Sequence, residues 1–141
     1  MKRFMISGNF DPFHHGHLSY IKQVVRLAAQ DDYLVCIVSS DKQLMMKKDK
    51  VNIPESSRQE ILNLILKGLR VSGVALVNEW DTETTLVAKA LYAVTPRVFF
   101  RGGDKTLADM PPDERRVCEE LGIEIRHARL EVDTHGKGMM A

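Results

Sequence analysis

The sequence predicts an α/β domain: a Rossmann-like, three-layer arrangement around a mostly parallel sheet of about five strands. Three observations carry that prediction. Apolar, β-branched runs alternate along the chain with segments whose apolar residues recur at helical spacing. The run at 33–40 (YLVCIVSS) is apolar almost throughout, as a strand buried on both faces of a parallel sheet requires. The first strand passes into the first helix through Ser7-Gly8-Asn9-Phe10-Asp11-Pro12-Phe13-His14-His15-Gly16-His17. Two glycines, a proline, an aspartate and three histidines suit a turn that brings bare backbone and imidazoles to an anion.

Each element follows from local pattern. Residues 3–7 form the first strand, stopped by Gly8. Residues 16–30 form a helix, with Leu18, Ile21, Val24, Val25, Leu27 and Ala28 on one face and Asp31-Asp32 at its end. Residues 33–40 form the second strand, and 41–50, rich in lysine, reads as a loop or short helix at the sheet's end. Pro54 opens a second long helix with Glu55 in its first turn, where the dipole favours an acid. Ile61, Leu62, Ile65, Leu66 and Leu69 are its apolar stripe. Residues 74–77 form a third strand, followed by a loop at 78–82 that carries the sole tryptophan, Trp80. A helix starting at Thr82 or Glu83 is ended by Pro96. Residues 97–101 form a fourth strand that stops at Gly102-Gly103-Asp104. Residues 113–121 form a helix with Gly122 as its cap, and 123–128 alternates like an edge strand. The polar, glycine-containing segment 131–141 reads as a loosely ordered tail.

The 141 residues fit one domain spanning 1–141, and 44% hydrophobic with 28% charged residues is ordinary for a globular protein. A net charge of +1 provides no global basic field, so a nucleic-acid partner is not expected and any anion affinity is local. Cys36 and Cys118 fall in apolar segments and read as free, buried thiols of a reducing compartment. No apolar run is long enough to span a membrane, and the N-terminus is too short for a signal peptide, so the expected setting is cytoplasmic with no membrane partner.

In an open parallel sheet, ligands bind beyond the carboxyl ends of the strands. The first turn, Lys47 and Lys48, Trp80, and the Gly102 turn all follow strands and are expected to share that edge. There is no GxxxxGK[ST] loop and no GxGxxG turn. His14 and His17, three apart at a helix start, face the same way. Such a pair can donate N–H groups to phosphate oxygens, or it can ligate a metal; Asp11 and His15 are the only further ligands nearby, so phosphate is the preferred reading and no metal site is assigned.

The stretch Gly8 to His17 resembles the GxFDxxHxGH signature of the cytidylyltransferase-like nucleotidyltransferases. Val38-Ser39-Ser40-Asp41 looks like that family's second strand ending in aspartate. Lys47 and Lys48 fall where the family has a phosphate-binding lysine, and Pro54-Glu55 through Arg58 looks like its helix start with an arginine. Arg101-Gly102-Gly103-Asp104 is similar to the turn of the sugar-phosphate adenylyltransferases, among which the lipopolysaccharide-core heptose-phosphate enzymes look nearest. Glycerol-phosphate cytidylyltransferases and archaeal FAD synthetases are close in pattern.

The resemblance implies an enzyme that transfers a nucleoside monophosphate from ATP or CTP, with Mg²⁺, to a small phosphorylated acceptor such as a sugar or polyol phosphate, releasing pyrophosphate. It implies catalytic roles for His14, His17, Lys47 and Arg58. Gly8, Asn9, Phe10, Asp11, Gly16, Arg101, Gly102, Gly103 and Asp104 would bind the nucleotide, and Asp41, Lys48 and Trp80 the acceptor. It also implies a homodimer. The chain departs from the pattern in two places: Asn9 stands where Thr or Ser is common, and the tail at 133–141 only partly echoes the C-terminal ISSTxxR signature. The second departure motivates an alternative, a nucleotide-binding module with weak or lost catalysis.

Overall fold

The computed structural model describes residues 1–102 and 105–129. Five strands, β1 (Arg3–Gly8), β2 (Tyr33–Val38), β3 (Gly73–Val77), β4 (Val98–Arg101) and β5 (Glu124–His127), form a single sheet of order β3-β2-β1-β4-β5. Every pairing is parallel. Five α-helices accompany them: α1 (His15–Leu27), α2 (Asp41–Lys48), α3 (Glu55–Gly68), α4 (Ala88–Val94) and α5 (Pro112–Leu121). The architecture is the Rossmann-like three-layer fold that the alternation of elements predicts.

The two-residue side-chain period of the strands splits the interior in two. Phe4, Ile6, Leu34, Cys36, Val38, Val98 and Phe100 face α1 and α3. Met5, Val35, Ile37 and Phe99 face α4 and α5. Cys36 and Cys118 are free thiols, one in each core. Among the described residues no helix is long and apolar enough to cross a membrane.

Of the two readings open for the lysine-rich segment at 41–50, the short helix holds: α2 forms because Ser40 caps it, its hydroxyl accepting the Gln43 N–H while Gln43 Oε1 accepts the Ser40 N–H. One expectation changes. The helix expected from Thr82 or Glu83 begins instead at Ala88. The buried Asp81 carboxylate accepts the N–H groups of Lys89 and Ala90, and Glu114 of α5 accepts that of Val87. These two carboxylates set where the helix can start, and 82–87 is left as a loop. The readings made for Gly103, Asp104 and 130–141 fall outside the described residues.

The outer edge of β3 is covered by its own helix. Asn63 of α3 accepts the Ala75 N–H and Gln59 donates to the Ala75 carbonyl, so α3 occupies hydrogen bonds a sixth strand would use. On its inner side β3 runs so close to β2 that Gly73 has no room for a side chain: a Cβ there would lie 2.4 Å from the Leu34 carbonyl oxygen of β2. A Cβ at Gly68, the last residue of α3, would meet nothing within 4 Å. Gly73→Ala is therefore expected to lower unfolding free energy by about 1–3 kcal/mol. Gly68→Ala should raise it by about 0.5–1 kcal/mol. Denaturant unfolding of the two variants checks both signs.

Candidate active site at the carboxyl edge

The site starts with the first turn of α1. His14 occupies the N-cap position, which Ser, Thr, Asp or Asn usually fills, because an imidazole nitrogen can do the same work. Nδ1 of His14 accepts the Gly16 N–H at 3.1 Å, and Nδ1 of His17 accepts the His14 N–H at 3.2 Å. The two rings stack with centroids 3.8 Å apart. An Nδ1 that accepts a hydrogen bond carries no proton, so both imidazoles are held as the Nε2–H tautomer. Each then offers one N–H donor outward. Burial and the neighbouring His14 push the His17 pKa down to about 4, so His17 is neutral near pH 7. A Cβ at Gly16 would sit 3.0 Å from the His14 ring, so any side chain there would press on the cap. The fully buried Phe10, held at φ 51°, packs on His17 with centroids 4.8 Å apart and presses against Gly8.

Beside this turn opens a cleft of about 480 Å³. Its floor is the carboxyl ends of β1, β2 and β4, lined by Gly8, Asn9, Ser39, Phe99 and Arg101. It straddles β1, where the strand order reverses direction, the place an open α/β sheet leaves for a ligand. Lys47 reaches in from α2: its Nζ donates to Asn9 Oδ1 at 2.8 Å and to Ser39 Oγ at 3.2 Å. Desolvation holds Lys47 below the usual lysine range, while the opposing Glu114 pulls it back up. Arg101, buried, donates to the Thr106 carbonyl at 2.7 Å and lies 3.5 Å from Asp109, with His127 Nε2 3.1 Å away. Lys105, Thr85, Leu86, Val87, Pro111 and Glu114 complete the walls.

Several residues expected to meet ligand are occupied otherwise. Arg58 is the largest fully buried side chain among the described residues. It donates to the carbonyls of Ile53, Asn9 and Ser39 and to Asp41 Oδ1, all within 2.9 Å. With these bonds it clasps the loops after β1 and β2 to α3, a positioning arrangement. Asp41 is correspondingly engaged through Oδ1, which accepts from Arg58 and from the Glu55 N–H. Asp11 is buried and accepts the N–H groups of Asn52 and Ile53. Burial raises its pKa, but those two bonds with the Lys48 and Arg58 charges outweigh it and hold the carboxyl below its ordinary value. Lys48 donates to the Asp11 carbonyl and lies 3.6 Å from its carboxylate, so it braces this turn. Trp80 sits in a turn around Asn78 and does not line the cleft; nor does Gly102, whose carbonyl accepts the Lys105 N–H. Ser39, Glu114, the 85–87 loop and Lys105 were not anticipated; the signal for Glu114 was its phase with the buried Val117 and Cys118 of α5.

Among the described residues no group of three or more His, Cys, Asp or Glu is placed to hold a metal ion. What the arrangement can do is bind an anion at the Nε2–H donors of the two histidines, the α1 N-terminus and Lys47, with no covalent nucleophile required. Arg58→Ala, which leaves three carbonyls without their donor, is expected to cost about 3–5 kcal/mol of stability. Urea unfolding reads this; a loss under about 1 kcal/mol would contradict the positioning role.

Residues 5–137 match the family described as cytidylyltransferase-like. The FAD synthase of Methanothermus fervidus is 34% identical over 117 residues, covering 83% of this chain and 72% of the relative. The FAD synthase of Methanopyrus kandleri is 25% identical over 130 residues, covering 92% and 80%. The crystal structure of the lipopolysaccharide core biosynthesis protein of Thermoplasma volcanium superposes with a TM-score of 0.63 at 25% identity, covering 93% of this chain and 97% of that one. With the capped His14–His17 turn, the parallel sheet and the cleft at its switch point, this match places the chain in the cytidylyltransferase-like family as a nucleotidyltransferase.

Proposed function

We propose that this protein is an adenylyltransferase that transfers AMP from ATP to FMN, forming FAD and releasing pyrophosphate. The observation that carries the choice of acceptor is the similarity to archaeal FAD synthases, at up to 34% identity over most of the chain. It favours FMN over the sugar or polyol phosphate expected from the sequence, and flavin biosynthesis over the lipopolysaccharide-core synthesis that the sequence resemblance and the name of one structural neighbour suggest.

In this reading an oxygen of the FMN phosphate attacks the α-phosphorus of ATP. A new P–O–P bond forms, the bond between the α-phosphorus and the bridging β-oxygen breaks, and pyrophosphate leaves. The Nε2–H groups of His14 and His17 hold the α-phosphate as its charge shifts, and the α1 dipole adds to them. Being neutral, His17 donates a hydrogen bond without giving up a proton. Lys47, already fixed by Asn9 and Ser39, holds the acceptor phosphate, and Arg101 and Lys105 line the part of the cleft that receives the nucleoside. Mg²⁺ enters as part of the magnesium–ATP substrate. The homodimer implied by the family resemblance is kept as part of this proposal and is read by size-exclusion chromatography with light scattering.

The test is product formation from ATP or CTP with Mg²⁺ and a panel of FMN, glycerol 3-phosphate and sugar phosphates. FAD from ATP and FMN is expected. Pyrophosphate release with a sugar phosphate and none with FMN would overturn the acceptor, and ATP binding without turnover on the whole panel would favour a binding module. His17→Asn sharpens the test. Asn Oδ1 can replace Nδ1 as the acceptor of the His14 N–H but has no group at the Nε2 position. Its turnover should fall by roughly 10²-fold, the scale of one lost transition-state donor, with the melting temperature little changed.

A further inference from the structure

We propose that Glu114 is a specificity-determining residue: its free carboxylate oxygen accepts a hydrogen bond from an N–H or O–H group of the acceptor, beyond the acceptor phosphate held by Lys47. The proposal rests on the adenylyltransferase reading with FMN as acceptor.

Glu114 stands in the first turn of α5 and is only 7% exposed. Its Oε2 accepts the Val87 N–H at 3.0 Å. Its Oε1 has no hydrogen bond to any described residue, and no fully buried side-chain oxygen among those residues lacks a partner. Oε1 is therefore the part of Glu114 that opens on the cleft it lines. Capping Val87 needs one acceptor atom, which a neutral side chain could supply. A charge kept at this depth carries a desolvation cost, seen in a pKa raised by burial. The second oxygen is not needed to cap Val87 and is the one available on the cleft side, where the Glu114 charge also acts on Lys47 and Arg101.

A carboxylate repels phosphate, so Oε1 reads a part of the substrate that is not phosphate. The adjoining wall is Leu86, Val87 and Pro111, apolar apart from Thr85. That wall is fixed: Gln43 of α2 donates to the carbonyls of Thr84 and Leu86, and Asn78 donates to that of Leu86. A ligand with its phosphate on Lys47 and its body along this wall brings the body's donors to Glu114. FMN has two kinds, the imide N–H of the flavin ring and the ribityl hydroxyls.

Glu114→Gln reverses the polarity at constant shape. Only the amide oxygen can take the Val87 N–H, so the amide NH₂ then faces the cleft. The KM for FMN is expected to rise about tenfold or more, the scale of one charged hydrogen bond, with the KM for ATP unchanged. Glu119→Gln, on the exposed face of α5, should leave both constants alone. Wild-type enzyme is also compared on FMN, N3-methyl-FMN and FMN analogues lacking single ribityl hydroxyls. A penalty on N3-methyl-FMN that disappears in Glu114→Gln assigns the ring N–H; one on a deoxyribityl analogue that disappears assigns that hydroxyl. An unchanged FMN constant in a Glu114→Gln protein with wild-type melting temperature overturns the proposal, as does a rise confined to ATP. If Glu114→Gln folds poorly, wild-type enzyme that accepts every donor-lacking analogue as well as FMN overturns it. Wild-type protein that makes no FAD overturns the FMN reading separately, and the Glu114→Gln comparison then runs on the panel acceptor that releases pyrophosphate.

Discussion

Two imidazoles that cap each other's backbone hold the carboxyl edge of this protein in one arrangement. An ordinary N-cap side chain would satisfy the free N–H groups at the start of α1 and do no more. His14 and His17 satisfy them through Nδ1 and keep Nε2–H pointing away, so one set of bonds both starts the helix and fixes two donors. The stacking of the rings and the burial of His17 against Phe10 remove the remaining freedom. A side chain at Gly16, between the histidines, would press on the cap, and one at Gly8 would press on the phenylalanine. Pre-set donors at a developing charge are the largest single contribution that a site without a covalent intermediate can make.

This turn is useful only if the loops beside it hold their places, and Arg58 with Asp11 does that. The Arg58 guanidinium ties Asn9, Ser39, Asp41 and Ile53, and the Asp11 carboxylate ties Asn52 and Ile53. Strands β1 and β2 and helix α3 therefore meet at a charged knot just behind the cleft. Lys47 is aimed at the cleft floor by Asn9 and Ser39, two of the residues whose carbonyls Arg58 holds. A buried charge that loses its partners costs more than the pair gains, so the knot enforces one geometry more than it adds stability.

Much of this could be read from the sequence, because its causes are local. The strands follow from β-branched runs, the order of elements from alternation, and the phosphate turn from glycines and histidines at fixed spacing. Arg58 and Glu114 were harder because their partners lie elsewhere in the chain. Arg58 looks like a surface arginine on a helix, yet it sits four and eight residues before the buried Leu62 and Leu66. Glu114 is in the same phase with Val117 and Cys118. A charged residue in step with an apolar stripe is the sign both share. The late start of α4 had no such sign, since it depends on Asp81 reaching two N–H groups downstream and on Glu114 arriving from another helix.

The tautomer of the two histidines decides whether the turn works in this way, and ¹⁵N NMR of the imidazole rings reads it directly. His14 and His17 are both expected to show a protonated Nε2 and an unprotonated, hydrogen-bonded Nδ1 at neutral pH, with His17 titrating only toward pH 4. A protonated Nδ1 on either ring, or a His17 that titrates near the unperturbed value of about 6.5, would contradict that arrangement.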